Sequence, residues 1–305
     1  MTAPNFGSPT TALCRLLAYA GLTLALMPVQ LLAVAFRWPL RKRLPFWYHG
    51  RTCRLLGIRI DRLGQPSRRH PTLYVANHVS YLDIEVLGSI LKASFVAKAE
   101  VAAWPFFSWL AKLQETVFVE RRVHRAAEHR DEMSRRLEAG DDLILFPEGT
   151  SGDGNGILAF KSALFSVAER RPHDQPLTVQ PVSIAYTRLD GLPLGRYLRP
   201  FFAWYGDMEL GNHLWHAISL GRVTVVVEFH EPVTLDQFGS RKALSDYCYD
   251  VVARGVAAAL SGRPQLPLPA PGKAPGKALG MTGETPLEGT GESPGKTSGN
   301  APVQV

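Results

Sequence analysis

Between Gly57 and Gly262 short apolar runs alternate with longer amphipathic ones, and this alternation constrains the chain more than any other feature. "GIRIDRLG", "TLYVANH", "ASFVAKA", "TVFVERR", "DLILFPEG", "LTVQPVSIAY" and "VTVVVEFHEPV" have the length and residue types of strands. Between them "YLDIEVLGSIL", "WPFFSWLAKL", "AAEHRDEMSRRLEAG" and "FKSALFSVAER" carry helical patterns, and "RKALSDYCYDVVARGVAAAL" closes the series as a helix. Strands alternating with helices predict an α/β domain with a mixed, largely parallel sheet flanked by helices. In such sheets functional groups gather where strands end and loops begin.

The flanks differ in composition. "LLAYAGLTLALMPVQLLAVAF", Leu16 to Phe36, carries no formal charge and is long enough to cross a bilayer. Arg37, Arg41, Lys42 and Arg43 follow it, which favours a cytoplasmic location for what comes next. Pro28 and Gln30 interrupt the run, so a re-entrant or half-buried helix and a buried core helix stay open as alternatives. The run is long for a cleaved signal peptide. The aromatic and arginine-rich stretch from Phe46 then reads as an interfacial helix. Beyond Gly262 the chain is rich in Pro, Gly, Thr and Ser and cannot bury enough apolar surface to order itself. Three segments result: 1–54, an N-terminal membrane-anchoring helical segment; 55–262, the α/β domain; 263–305, a disordered tail.

A net charge of +7 among 305 residues fits nucleic acid, an anionic membrane surface or an anionic substrate as partner. No nucleic-acid reader motif is present. The basic residues near the N-terminus stand beside apolar and aromatic ones, the pattern of lipid binding. Cys14, Cys53 and Cys248 are far apart, with neither the spacing of a zinc site nor that of a disulfide framework.

"NHVSYLD" places His78 and Asp83 directly after a strand. Within one helix they would lie roughly 140° apart, so they meet only if His78 precedes the helix and Asp83 is in its first turn. Ser80 would then be the N-cap, and Asp83 would do no more than satisfy a backbone N–H in a capping box. His78 would be a hydrogen-bonded turn residue. "FPEGTSGDGNG", the arginines of "TVFVERR" and Pro181 in "VQPVSIAY" each have an equally plain reading: a surface loop, a solvated charge pair, and an edge or bulge.

In this order, however, the four stretches resemble the glycerolipid acyltransferase family, whose type member is 1-acyl-sn-glycerol-3-phosphate acyltransferase. "NHVSYLD" is similar to its His-x4-Asp block, "VFVERR" to its second, "FPEGT" to its third and "VQPVSIAY" to its fourth; the resemblance extends over Leu55 to Ala185. The resemblance implies transfer of a fatty acyl group from acyl-CoA or acyl carrier protein to a lysolipid hydroxyl. It implies no cofactor and no metal, and a place on the inner membrane with the catalytic domain facing the cytoplasm. An alcohol needs a base to take its proton as it attacks. His78 is that base, and Asp83 fixes its tautomer. No G-x-S-x-G elbow is present, which favours direct attack without an acyl-enzyme.

By resemblance Arg121, Glu148, Gly149 and Thr150 help bind the acceptor, with Arg121 facing its phosphate and Glu148 ordering the loop. Lys98 and Lys161 are further candidate phosphate contacts. Two positions depart from the family pattern: Glu115 stands where the second block opens with glycine, and Glu120 where an aspartate precedes the arginine. A carboxylate at 115 that faced the site would repel a phosphate. Some relatives acylate lyso-ornithine lipids, whose head group is zwitterionic. The first expected product is therefore phosphatidic acid from 1-acyl-sn-glycerol-3-phosphate, and the alternative is acylation of lyso-ornithine lipid or another lysophospholipid. A thioesterase or lipase and a catalytically silent membrane lipid-binding protein are the remaining readings. The aromatics of "RPFFAWYGDMELGNHLW" suit an acyl tunnel, a membrane-facing surface or core.

Overall fold

A computed structural model describes residues 7–98, 107–119 and 126–263. Helices α1 (Pro9–Ala35) and α2 (Leu40–Leu56) precede strands β1 (Ile58–Leu63) and β2 (Thr72–Ala76). Then come α3 (Leu82–Gly88), β3 (Ser94–Lys98), α4 (Phe107–Leu113), β4 (Val117–Val119), α5 (Ala126–Glu138) and β5 (Leu143–Leu145). Strands β6 (Thr178–Leu189) and β7 (Leu192–Pro193), helix α6 (Leu210–Ser219), β8 (Val223–Phe229) and α7 (Arg241–Ser261) complete the order.

The strands form one sheet in the order β1-β8-β6-β2-β5-β3-β4, with β7 paired to β6. All pairings are parallel except β6 with β7 and β6 with β8. The mixed, largely parallel sheet expected from the alternation is thus present. Central β2 is buried at every residue, as a strand covered on both faces must be. Its alternation divides the core. Tyr74 and Ala76 face one layer with Leu82, Val86, Ile184 and Ala217, beneath α2, α3 and α6. Leu73 and Val75 face the other with Leu137, Phe165, Leu244 and Cys248, beneath α5 and α7.

Three expectations need correction. "FKSALFSVAER" forms a 3-10 helix at Ser162–Glu169. Its entry is pinned by the Lys161 N–H on the Pro147 carbonyl at 2.9 Å and Arg170 is extended at its exit, so the segment is held at both ends, which suits the more stretched 3-10 form. Pro181 lies inside β6 between β2 and β8, not on an edge. Its carbonyl accepts from His230 N at 3.0 Å, just past the end of β8, so its missing N–H falls where that ladder stops. "VTVVVEFHEPV" leaves the strand after Phe229 for the same reason, and Val233 rejoins the sheet through a single bridge to Val179.

Helix α1 runs unbroken through Pro28 and Gln30. It is the one helix among the described residues long and apolar enough to cross a membrane. Only 17% of its most apolar stretch is buried in the protein, which argues against a core helix. Leu13, Leu17, Leu24 and Leu31 point outward. Two polar tethers hold the inner face. Arg15 Nη1 donates to the carbonyls of Ile218 (3.0 Å) and Leu220 (2.7 Å) at the end of α6. Gln30 Nε2 donates to the carbonyls of Arg41 (2.9 Å) and Leu113 (2.7 Å). Gly57 ends α2 in the left-handed region (φ 76°), and a Cβ there would stand 2.4 Å from Arg15 Nη2.

Candidate active site

The parallel strands β2 and β5 end side by side, and the loops leaving them carry the candidate residues. Asn77 continues the line of β2. Its side chain donates to the Ile184 carbonyl (2.9 Å) and accepts from Ile184 N (2.8 Å), so it replaces a ladder pair as the chain turns away. His78 follows, then the turn Val79–Tyr81, then α3.

This turn solves the separation of His78 and Asp83. Asp83 Oδ2 accepts from His78 Nδ1 at 2.9 Å, from Val79 N at 2.7 Å and from Ser80 N at 2.9 Å. The expected Ser80 N-cap does not form: α3 begins at Leu82 with Tyr81 as its N-cap and no side-chain cap bond, and Ser80 Oγ reaches only Leu82 N, at 3.4 Å. Asp83 therefore caps the turn and holds the imidazole with one oxygen. Its other oxygen accepts from the Tyr186 hydroxyl at 2.9 Å. Asp83 is fully buried, whereas the His78 side chain is 21% exposed. A carboxylate only accepts, so Nδ1 is the donor in this bond and Nε2 is the ring nitrogen left for a substrate. No described residue bonds Nε2. The ring stacks on Phe146, with centroids 4.2 Å apart, and its freedom to rotate is limited.

Glu148 joins the two loops. Oε1 accepts from His78 N and Oε2 from Leu158 N, both at 3.0 Å, and the residue is 2% exposed. The carboxyl thus meets backbone on both sides. Burial pushes its pKa up to about 7; the two N–H donors oppose that rise and nearby Asp83 adds to it. Unfolding returns the group to the ordinary carboxylate range. The folded state then holds more protons between about pH 4.5 and 7, and stability falls as pH rises through that window. The wild-type melting temperature should fall more steeply than that of Glu148→Gln between pH 5 and 8, with a difference on the order of 2–3 kcal/mol. Parallel melting curves for the two proteins would sink this account of Glu148.

Gly149 is left-handed (φ 67°), and a Cβ there would lie 2.6 Å from Lys161 Nζ. The Lys161 ammonium therefore stands over the loop that Glu148 anchors. Thr150 is exposed at the rim. Lys98 ends β3, and its side chain lies outside the described residues, as does all of Arg121. Glu115 is placed away from the site. It precedes edge strand β4, whereas His78 follows the parallel central strand β2, so the two lie at opposite strand ends, and Arg41 Nη1 donates to both Glu115 oxygens at 2.6 and 2.5 Å. With Ser94 and Asp142 it lines a cavity of about 220 Å³ at that edge. Its φ of 56° is a conformation that glycine adopts without strain, which accounts for a glycine preference there without reference to the acceptor.

Tyr186 is the contributor that reading the sequence missed. It ends the quoted stretch "VQPVSIAY", and the strand period puts it on the same face as Val182 and Ile184, toward α3. Among the described residues no cluster of His, Cys, Asp and Glu is arranged to hold a metal ion.

Comparison with known proteins agrees with this geometry. The family model described as Acyltransferase matches residues 58–185. A lyso-ornithine lipid O-acyltransferase of Brucella abortus is 42% identical over 250 residues, 81% of this chain and 94% of that protein. A 1-acyl-sn-glycerol-3-phosphate acyltransferase of Neisseria gonorrhoeae is 33% identical over 187 residues, 60% of this chain and 69% of that protein. The crystal structure of the 1-acyl-sn-glycerophosphate acyltransferase from Thermotoga maritima shares the fold. Its TM-score is 0.59 at 23% identity, covering 83% of this chain and 98% of that one. The chain is an acyltransferase of the lysophospholipid type, and it belongs to the glycerolipid acyltransferase family.

Proposed function

We propose that this chain moves a fatty acyl group from a thioester donor, acyl-CoA or acyl carrier protein, to the free hydroxyl of a lyso-ornithine lipid. The observation that carries the chemistry is the buried Asp83 carboxylate bonded to Nδ1 of a His78 ring whose Nε2 is unpartnered among the described residues. The hydroxyl oxygen attacks the thioester carbonyl while His78 Nε2 takes its proton. Asp83 stabilises the imidazolium. Collapse of the tetrahedral intermediate breaks the C–S bond, and the departing thiolate takes the proton from His78. The products are the O-acylated lipid and a free thiol. The name and close coverage of the Brucella relative support the acceptor.

The second reading is acylation of 1-acyl-sn-glycerol-3-phosphate to phosphatidic acid. It is favoured by the name of the Neisseria relative and by the position of Glu115, which is turned away from any acceptor phosphate.

We also place the protein on the inner membrane, facing the cytoplasm, with α1 lying along the surface. The tethers at Arg15 and Gln30 keep both halves of α1 against the domain, so its outward leucines would enter the bilayer from one side. Arg37 and Arg43 are exposed beside them, while Arg41 and Lys42 are ion-paired to Glu115 and Asp141. We take residues 263–305 to be a tail with no part in catalysis.

The test is acyl transfer by the purified full chain in detergent, with lyso-ornithine lipid and lysophosphatidic acid offered side by side with a long-chain acyl-CoA. His78→Ala is the control. A His78-dependent preference for lyso-ornithine lipid is expected. Preference for lysophosphatidic acid would replace the acceptor and keep the mechanism. Transfer to neither, with acyl-CoA or with acyl carrier protein, would overturn both.

A further inference from the structure

Two segments outside the His78–Asp83 pair are laid against the same turn. Gly152 N donates to the His78 carbonyl at 2.9 Å, and Trp204 N donates to the Val79 carbonyl at 3.0 Å. Gly154 is left-handed (φ 77°), and a Cβ there would stand 3.2 Å from Val79 Cγ1 and 3.8 Å from Arg199 Cβ. Asn155 bridges the two segments. Its Oδ1 accepts from Arg199 Nη1 at 2.9 Å, while its N and Nδ2 donate to the two oxygens of Asp153 at 2.9 and 3.0 Å. The result is a cation and an anion fixed side by side on the rim next to the base, with a second cation, Arg196, close enough to act on both.

Neither charge is saturated. Arg199 Nε is buried and has no hydrogen-bond partner among the described residues, an unfavourable state that an oxyanion oxygen reaching it would relieve. Asp153 is half-buried; it accepts from Asn155 twice and from its own backbone N–H, with Arg196 nearby, and a carboxylate with three donors retains an acceptor position. An ornithine acylated on its α-nitrogen presents a carboxylate and an ammonium, the same two charges in complementary sense.

We propose that Arg199 and Asp153, joined through Asn155, bind the acceptor's zwitterionic head group, Arg199 taking its carboxylate and Asp153 its ammonium. The proposal rests on the lyso-ornithine reading and goes further, because Asp153 would repel a phosphate dianion and so set the acceptor preference.

The experiment measures transfer by the full chain in detergent to lyso-ornithine lipid, its carboxyl methyl ester and lysophosphatidic acid, each with acyl-CoA varied as well. Wild type should prefer the free acid to the ester by about tenfold in KM. Arg199→Gln should raise the KM for the acid by about the same factor, abolish the preference over the ester, and leave the acyl-CoA KM unchanged. Arg199→Lys should restore part of the preference, and it serves as the variant if Arg199→Gln does not melt cooperatively. Asp153→Asn should weaken lyso-ornithine lipid and improve lysophosphatidic acid. An unchanged acceptor KM, a raised acyl-CoA KM, or a preference for the acid that survives Arg199→Gln would overturn the assignment. If wild type acylates only lysophosphatidic acid, the lyso-ornithine reading fails separately. Arg199→Gln raising that acceptor's KM would then keep an anion site at Arg199 and discard the role of Asp153, and no change would discard both.

Discussion

Replacing His78 with alanine should lower the acyl-transfer rate by about 10²–10⁴ or more, the range for loss of a general base. The fold should survive. The bonds that fix the turn here use the His78 backbone: its N–H on Glu148 and its carbonyl on Gly152 N. The side chain contributes the contact with Phe146 and one bond to Asp83, whose oxygen keeps two further donors. A loss of about 1–2 kcal/mol is expected from such a partly exposed ring. Rate under saturating donor, read beside a melting curve, separates the two effects. Activity near the wild-type rate in the variant would remove His78 from the chemistry.

Asp83→Asn should be nearly as damaging to the rate, for a different reason. The amide will turn its oxygen toward His78 Nδ1, Val79 N and Ser80 N, because its NH₂ group there would face three donors. The Nδ2 then faces the Tyr186 hydroxyl, which can accept as well as donate. The geometry is kept at a cost of about 1–2 kcal/mol. What disappears is the negative charge that stabilises the imidazolium. A fall in kcat on the order of 10²–10⁴ with an acceptor KM close to wild type would show that charge at work. A near-normal kcat would reduce Asp83 to a helix cap. Asp83→Ala would not distinguish the two, since it strands four donors at once and destabilises the turn itself.

The strand–helix order was readable because central strands such as "TLYVA" are short, mostly apolar runs that end on polar residues. The His78–Asp83 contact was readable as a condition: it required a turn between them, and "SYLD" supplies one. Other features depend on partners distant in sequence. Pro181 is tolerated in a central strand only because β8 stops opposite it, and that register cannot be seen from either strand alone. Glu115 could not be placed, because its direction is set by Arg41, 74 positions earlier. Tyr186 reads as one more apolar residue of a buried strand until its hydroxyl is seen to meet Asp83, 103 positions away. Helix α6 was hidden among aromatics that suit three environments, and Arg15 settles its end from 205 positions earlier in the chain.

Arg15 and Gln30 bind α1 to the domain at two points, so the domain cannot swing away from whatever the outer leucines are seated in. Seated in lipid, such an enzyme would search a surface. Its velocity would follow the mole fraction of lysolipid in the layer around it, and inert amphiphile added at constant bulk acceptor would slow it by spacing the substrates apart. The double-chain product would be released sideways into the same layer, leaving only the thiol to depart through water.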